Sequence, residues 1–285
     1  MHKIYIAASA STLIVILFYV SYILRIGKRK DYSRLLAAFL LAIPLSPIAN
    51  YALKPVLDTL VQLIISNESG IYKIITTAYA PLVSEPIKLL PLLLPFLYHR
   101  INKDNFVSFG MALGVGFGIG EIWLNAFRSS QIPNDSFLPI GYVLLGYISE
   151  WLMVCLLHGA FTSLALWRLR RGLGWGLAAA MGLHWLVHLP RNLYNMNIGG
   201  ESRQLLRFYM PLHLIFFFIL MVLLLIYLRA GKQGLRQSFS GTKIHCPECQ
   251  ESYKRSYWMT HLSTKDIEKC PRCGCQNPID FKEKP

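Results

Sequence analysis

The stretch FVSFGMALGVGFGIGEIWLNAF, residues 106–127, decides how this chain folds. As a helix it is long enough to cross a hydrocarbon layer of ~30 Å, and Glu121 is its only ionisable side chain. A carboxylate near the bilayer centre costs about 3 kcal/mol even on lenient insertion scales, so Glu121 should face a protein interior or a wet cavity. The glycines invite comparison with a phosphate loop, but no strand precedes them and no Lys-Ser/Thr follows. Their spacing suits packing instead. Gly110/Gly114, Gly114/Gly118 and Gly116/Gly120 each lie one turn apart, which lets a neighbouring helix approach closely. Such an approach would bring Glu121 to groups on another helix, with Asn125 one turn further on the same side.

Working outward, six more spans read as membrane crossings: 4–24, 35–53, 71–98, 138–166, 174–189 and 208–228. The segment 54–66 reads as an interfacial or re-entrant helix. Of 285 residues, 54% are hydrophobic and 15% charged, which excludes an ordinary soluble domain. Charges follow the first span (Arg25, Lys28, Arg29, Lys30) and so favour a retained anchor over a cleaved signal peptide. With the N-terminus outside, the inner loops carry twice as many Lys and Arg as the outer segments, in line with the positive-inside rule. The net charge of +14 is therefore partly an orientation device and does not require nucleic acid as a partner. The expected fold is an all-α polytopic membrane protein of about seven transmembrane helices, with residues 1–228 in the bilayer. The expected location is the plasma (inner) membrane of a prokaryote.

After Leu228 the hydrophobicity collapses. Residues 229–243 read as a basic linker and 244–285 as a zinc ribbon. Cys246-Pro-Glu-Cys249 and Cys270-Pro-Arg-Cys273 are separated by twenty residues, and two such knuckles complete a closed tetrahedral thiolate site. The expected ligands are Cys246, Cys249, Cys270 and Cys273, with zinc in a structural role. Cys275 is the nearest substitute for Cys273; His245 and His261 are weaker ones. A tail of this size cannot build a sufficient core, so metal binding supplies much of its folding energy. On the cytoplasmic side it would bind substrate or a protein partner. Lys254-Arg255, near Tyr257-Trp258, makes too small a basic patch to argue for nucleic acid.

Ionisable groups fall on four successive spans. Glu85 and Lys88 lie at i and i+3 in a span that also contains Pro81, Pro86, Pro91 and Pro95. Glu121 is on the next, and Glu150 and His158 on the one after. Eight residues apart on a helix, those two cannot both be direct ligands of one ion, so Glu150 is assigned to a cavity wall or to an Arg partner. His184, His188 and Asn192 recur every four residues along one face. His213, without such company, reads as packing.

The order Ser84-Glu85-x-x-Lys88, Gly-Phe-Gly-Ile-Gly-Glu121, His158-Gly-Ala-Phe-Thr and His188-x-x-x-Asn192 resembles the PrsW-type intramembrane proteases. These are relatives of the CAAX-protease and bacteriocin-processing membrane enzymes. The resemblance covers roughly residues 70–195. It implies a helical membrane fold and a Glu/His site that hydrolyses peptide bonds of membrane-anchored proteins, often described as metal-dependent. Two positions depart from the family pattern: Ser84 stands where a first glutamate is expected, and Ile122 where an asparagine is usual.

Amide hydrolysis needs an activated water, a stabilised oxyanion and a proton for the leaving amine. A second zinc held by Glu121, His158 and His188 would lower the pKa of its bound water to ~7. Glu85 would then be the base, with Asn192 or His184 as oxyanion donor or orienter. Lys88, Asn125 and Glu150 would support the site. A metal-free version assigns the water to Glu and the oxyanion to the histidines. The competing functional readings are an inactive scaffold of the same fold and a proton-coupled transporter.

Overall fold

A backbone in lipid has to satisfy its own hydrogen bonds, so apolar runs of membrane length become helices. The computed structural model describes residues 3–26, 29–66, 69–131, 140–169, 175–195, 203–240, 242–255 and 267–278. It is 83% helical, and the strands among the described residues are four short ones in the tail. The chain divides into two units, Met1–Leu225 and Ile226–Pro285.

The first unit contains α1 (Lys3–Ile26), α2 (Tyr32–Ala42), α3 (Leu45–Ile48), α4 (Lys54–Gln62) and α5 (Gly70–Ile87). It continues with α6 (Pro95–Tyr98), α7 (Phe106–Ser130), α8 (Ile140–Leu169), α9 (Trp175–Asn195) and α10 (Arg203–Ser240), the last running on into the second unit. Among the described residues, five stretches are long and apolar enough to cross a membrane: Lys3–Ile23, Tyr32–Gln62, Phe106–Ser130, Gly146–Trp167 and Tyr209–Arg229. Helices α5 and α9 are not among them. They carry Glu85 and the histidine pair, and those polar groups lower their hydropathy.

Four segments differ from the sequence expectation, each for a local reason. The helix expected at 54–66 is present as α4 (Lys54–Gln62), but it continues a longer helical stretch instead of standing apart. The chain from Tyr32 to Gln62 is one bent span in which Pro44 and Pro47 interrupt the ladder and a π-turn at Ala49–Leu53 takes up the misfit. The 71–98 span stops at Ile87 and passes through a 3₁₀ turn at Leu90–Leu93 before α6, because Pro91 and Pro95 cannot donate to a continuing helix. Helix α9 does not end near Pro190 but continues to Asn195. Pro190 deprives the Leu186 carbonyl of its N–H, and His213 Nε2 of α10 donates to that carbonyl at 3.0 Å. The expected linker is helical as far as Ser240, since Arg, Ala, Lys, Gln and Leu are all good helix formers.

Helix α7 is buried along nearly its whole length. A β-carbon on Gly110, Gly114 or Gly118 would overlap Ser163, the His158–Gly159 backbone or Cys155 of α8. One on Gly116 or Gly120 would overlap the carbonyl of Phe39 or Ile43, at and just beyond α2. The alternating glycines thus seat two neighbours on two faces of one helix. Ser163 and Tyr147 of α8 tie it to the carbonyls of Val107 (3.2 Å) and Ile122 (3.0 Å). On the opposite side of α8, Leu157, Phe161 and Ala165 pack with Ala180 of α9 and with Phe217 and Met221 of α10.

Gly114→Ala forces the His158 backbone away from α7 and should lose about 1–3 kcal/mol of stability in thermal unfolding. Gly182→Ala, on α9 with open space around it, should leave stability unchanged or raise it by up to about 1 kcal/mol. Equal effects of the two substitutions would contradict this packing.

Candidate functional site

Gly114, Gly118 and Glu121 share one face of α7. Because α8 lies against those glycines, His158 comes within 2.8 Å of Glu121, Nε2 to Oε2. Helix α5 is aligned on α9 by a hydrogen bond from Trp185 Nε1 to Thr77 Oγ1 (3.0 Å). That pairing sets Glu85 beside His184, with Oε1 and Nδ1 2.6 Å apart. Lys88, just beyond α5, closes the ring of helices. Its Nζ is 2.6 Å from Glu85 Oε1, 2.8 Å from His158 Nδ1, and 4.9 Å from the centroid of the Phe117 ring. His188 Nε2 is 3.0 Å from His184 Nε2.

Six ionisable groups from four elements therefore form one unbroken chain: Glu121, His158, Lys88, Glu85, His184, His188. Glu85 and Lys88 have no exposed surface, and His158 and His184 are 2% exposed. The hydrogen-bond directions follow from Lys88, because an ammonium donates and never accepts. His158 accepts at Nδ1, so its proton is on Nε2, which donates to Glu121. Glu85 Oε1 accepts from both Lys88 and His184 Nδ1, which leaves His184 Nε2 to accept from His188. Among the described residues, Glu85 Oε2 has no hydrogen-bond partner.

A cavity of about 710 Å³ adjoins this chain. His158, His184 and His188 line it together with apolar side chains of α8, α9 and α10, among them Leu157, Val187 and Leu214. Glu150 is exposed on its wall. Asn192 is half-buried one turn beyond His188, and Asn125 bonds to Tyr147. Ser84 is buried, its Oγ 3.4 Å from His184 Nδ1.

The donor atoms that converge are those of Glu85, His158 and His184, all within 4.8 Å of one another. The sequence reading groups Glu121, His158 and His188 instead. Glu121 and His188 bind the far ring nitrogens of His158 and His184, one position outside that trio. The sequence reading does not single out the aromatic walls. Phe117 meets His158 edge-on at 5.5 Å and Phe161 stacks on His184 at 5.4 Å. Their positions, four residues before Glu121 and three after His158, were the available signal.

In the second unit β1 (Thr242–His245) pairs with β2 (Ser252–Arg255), and β3 (Ile267–Lys269) with β4 (Gln276–Pro278). Each hairpin turns through one cysteine knuckle. In both, the first Cys N–H donates to the carbonyl five residues on and its own carbonyl accepts from the residue four on, at 2.9 Å throughout. That fourth residue has positive φ, 61° at Gln250 and 72° at Gly274. Zinc–sulfur bonds of ~2.3 Å place tetrahedral sulfurs ~3.8 Å apart. Cys246 and Cys273 are 3.6 Å apart and Cys249 and Cys270 3.7 Å, so these four cysteines can hold a metal ion. Cys275, 2.9 Å from Cys246, is too close to share a tetrahedron with it. His245 is exposed, while Tyr257, Trp258 and His261 lie outside the described residues.

The Cys249 backbone N–H holds the Cys246 thiol down to about 5 and the Cys273 N–H likewise lowers Cys270, whereas burial and the neighbouring thiols push Cys249 up to about 12 and Cys273 to about 11. Protons compete with metal for all four thiolates, so metal content should fall as the pH is lowered. Elemental analysis across a pH series checks the sign. Cys246→Ser should abolish binding in the tail. No family model matches this chain, and no curated protein and no solved structure matches it either.

Proposed function

We propose that this chain is an intramembrane peptidase of the PrsW type, cleaving membrane-anchored protein substrates without a metal in its membrane site. The supporting observation is the buried chain of Glu121, His158, Lys88, Glu85, His184 and His188 at the edge of a largely apolar cavity. A transporter is better served by ionisable groups strung across the bilayer than by groups gathered at one depth. The three converging donors suit a transition metal, but the Lys88 ammonium stands between two of them, so the chemistry falls to the side chains.

In this reading an apolar substrate segment enters the cavity. Glu85 Oε1 is held by Lys88 and His184, and Oε2 takes a proton from the attacking water. The water oxygen bonds to the scissile carbonyl carbon, and the oxyanion is met by the Asn192 carboxamide, since the histidine N–H groups are already engaged by Glu121, Glu85 and His184. Glu85 then returns the proton to the leaving amine, the C–N bond breaks, and the carboxylate is regenerated. Glu121 keeps His158 in the tautomer that accepts from Lys88. Helices α5 and α9 complete seven crossings with the N-terminus outside. The cysteine cluster takes zinc, the usual occupant of such a site in a reducing cytoplasm, and serves as a docking module for substrate or a protein partner.

A cleavage assay in bilayers against candidate membrane-anchored proteins tests the reading. Glu85→Gln, Glu121→Gln and His158→Ala should each lower turnover by ~10²-fold or more, while Glu150→Gln on the cavity wall should change it less. Undiminished product from the first three variants would remove these residues from the mechanism.

A further inference from the structure

We propose that Lys88 stands in for a metal ion: its ammonium occupies the hub of a three-donor site that would otherwise bind a divalent transition metal such as zinc, and keeps that metal out. The proposal deepens the metal-free part of the peptidase reading but is tested apart from it, because metal content is measured without a substrate and cleavage without a metal assay.

The donor set is what a transition metal selects: one carboxylate and two imidazoles, all buried, their atoms within 4.8 Å of one another. The surroundings match as well. Metal-bound histidines almost always engage the far ring nitrogen with a polar partner that orients the ring. His158 has one already, its Nε2–H donating to Glu121 at 2.8 Å, and His184 Nε2, 3.0 Å from His188 Nε2, would donate there once a metal replaced the proton on Nδ1. The carboxylate keeps Oε2 in reserve, without a partner among the described residues.

What departs from a metal site is the hub. Lys88 Nζ lies 2.6 Å from Glu85 Oε1 and 2.8 Å from His158 Nδ1, hydrogen-bond distances where a metal would show ~2.0–2.2 Å. Glu85 Oε1 and His184 Nδ1 are in direct hydrogen bond at 2.6 Å, nearer than the ~3.4 Å that two donors on one tetrahedral ion would keep. The site is contracted around an ammonium. Removing that charge leaves Glu85 buried without its cation and His158 Nδ1 without a donor. A buried carboxylate stripped of its partner is strongly destabilised, and a divalent ion on the same three donors restores the balance. The aromatic ring of Phe117, 4.9 Å from Nζ, favours a cation at this position without supplying a ligand of its own.

The test is metal stoichiometry of the full-length chain in nanodiscs, loaded with zinc or cobalt(II) and washed. Wild type should hold about one ion, with the thiolate-to-cobalt charge-transfer band of the cysteine cluster. Lys88→Ala should hold about two, the second showing cobalt absorption from nitrogen and oxygen ligands, and adding His184→Ala should remove that second ion. Lys88→Arg, which keeps the cation, should stay at one. A Lys88→Ala chain that keeps its helical circular dichroism but still holds one ion would overturn the proposal. A second arm needs no change at Lys88. Cys246→Ser should hold about none, and a residual ion that His158→Ala then removes would show that metal coexists with Lys88, equally against the proposal.

Discussion

An ammonium with no exposed surface, inside helices of membrane length, is the constraint on which the rest of this structure depends. Removing one partner of a buried ion pair costs about 3–5 kcal/mol, so Lys88 is tolerable only while Glu85 is 2.6 Å away and His158 takes a second N–H. Each partner is buried too and needs its own. Glu85 takes His184, His184 takes His188, and His158 takes Glu121. Satisfying one lysine thus recruits α5, α7, α8 and α9 into a single register.

The packing that permits this comes from glycine. Ridges of side chains normally hold helices 8–10 Å apart, and small residues at the interface allow a closer approach. The two glycine faces of α7 let the carbonyls of His158, Phe39 and Ile43 come against its backbone. Prolines act in the opposite sense by freeing carbonyls, and the fold uses one of them: the Leu186 carbonyl released by Pro190 is where α10 fastens, through His213. A histidine that reads as packing in sequence is a repair of the α9 ladder.

The two units answer the same problem, how to hold several polar ligands together, by opposite routes. In the tail, two short hairpins have too little apolar surface to fold alone, and the cysteines are set 3.6–3.7 Å apart for a metal to join them. In the first unit the apolar helices are already associated, and a side-chain cation holds the centre. The proposed peptidase chemistry uses that difference, because a lysine at the hub leaves the carboxylate available as a base.

The sequence by itself determined the class and most of the parts. Hydropathy runs identified helices of membrane length, cysteine spacing identified the knuckles and the four thiols, and the cost of burying charge singled out Glu85, Glu121, Glu150, His158 and His188, of which Glu150 is exposed. These are local properties, readable from periodicity and composition. Where Pro44, Pro47, Pro91 and Pro190 bend, stop or spare a helix was not legible, because the outcome depends on whether a neighbour satisfies the freed carbonyl. Nor was the order of partners. Lys88 and His184 read as supporting groups, yet they are the ones that join the two halves of the chain, and Glu121 and His188 lie outside them. One-dimensional spacing says which residues share a helix face. Which faces meet, and at what depth, is decided by glycine contacts between helices tens of residues apart, and only the tertiary structure contains those distances.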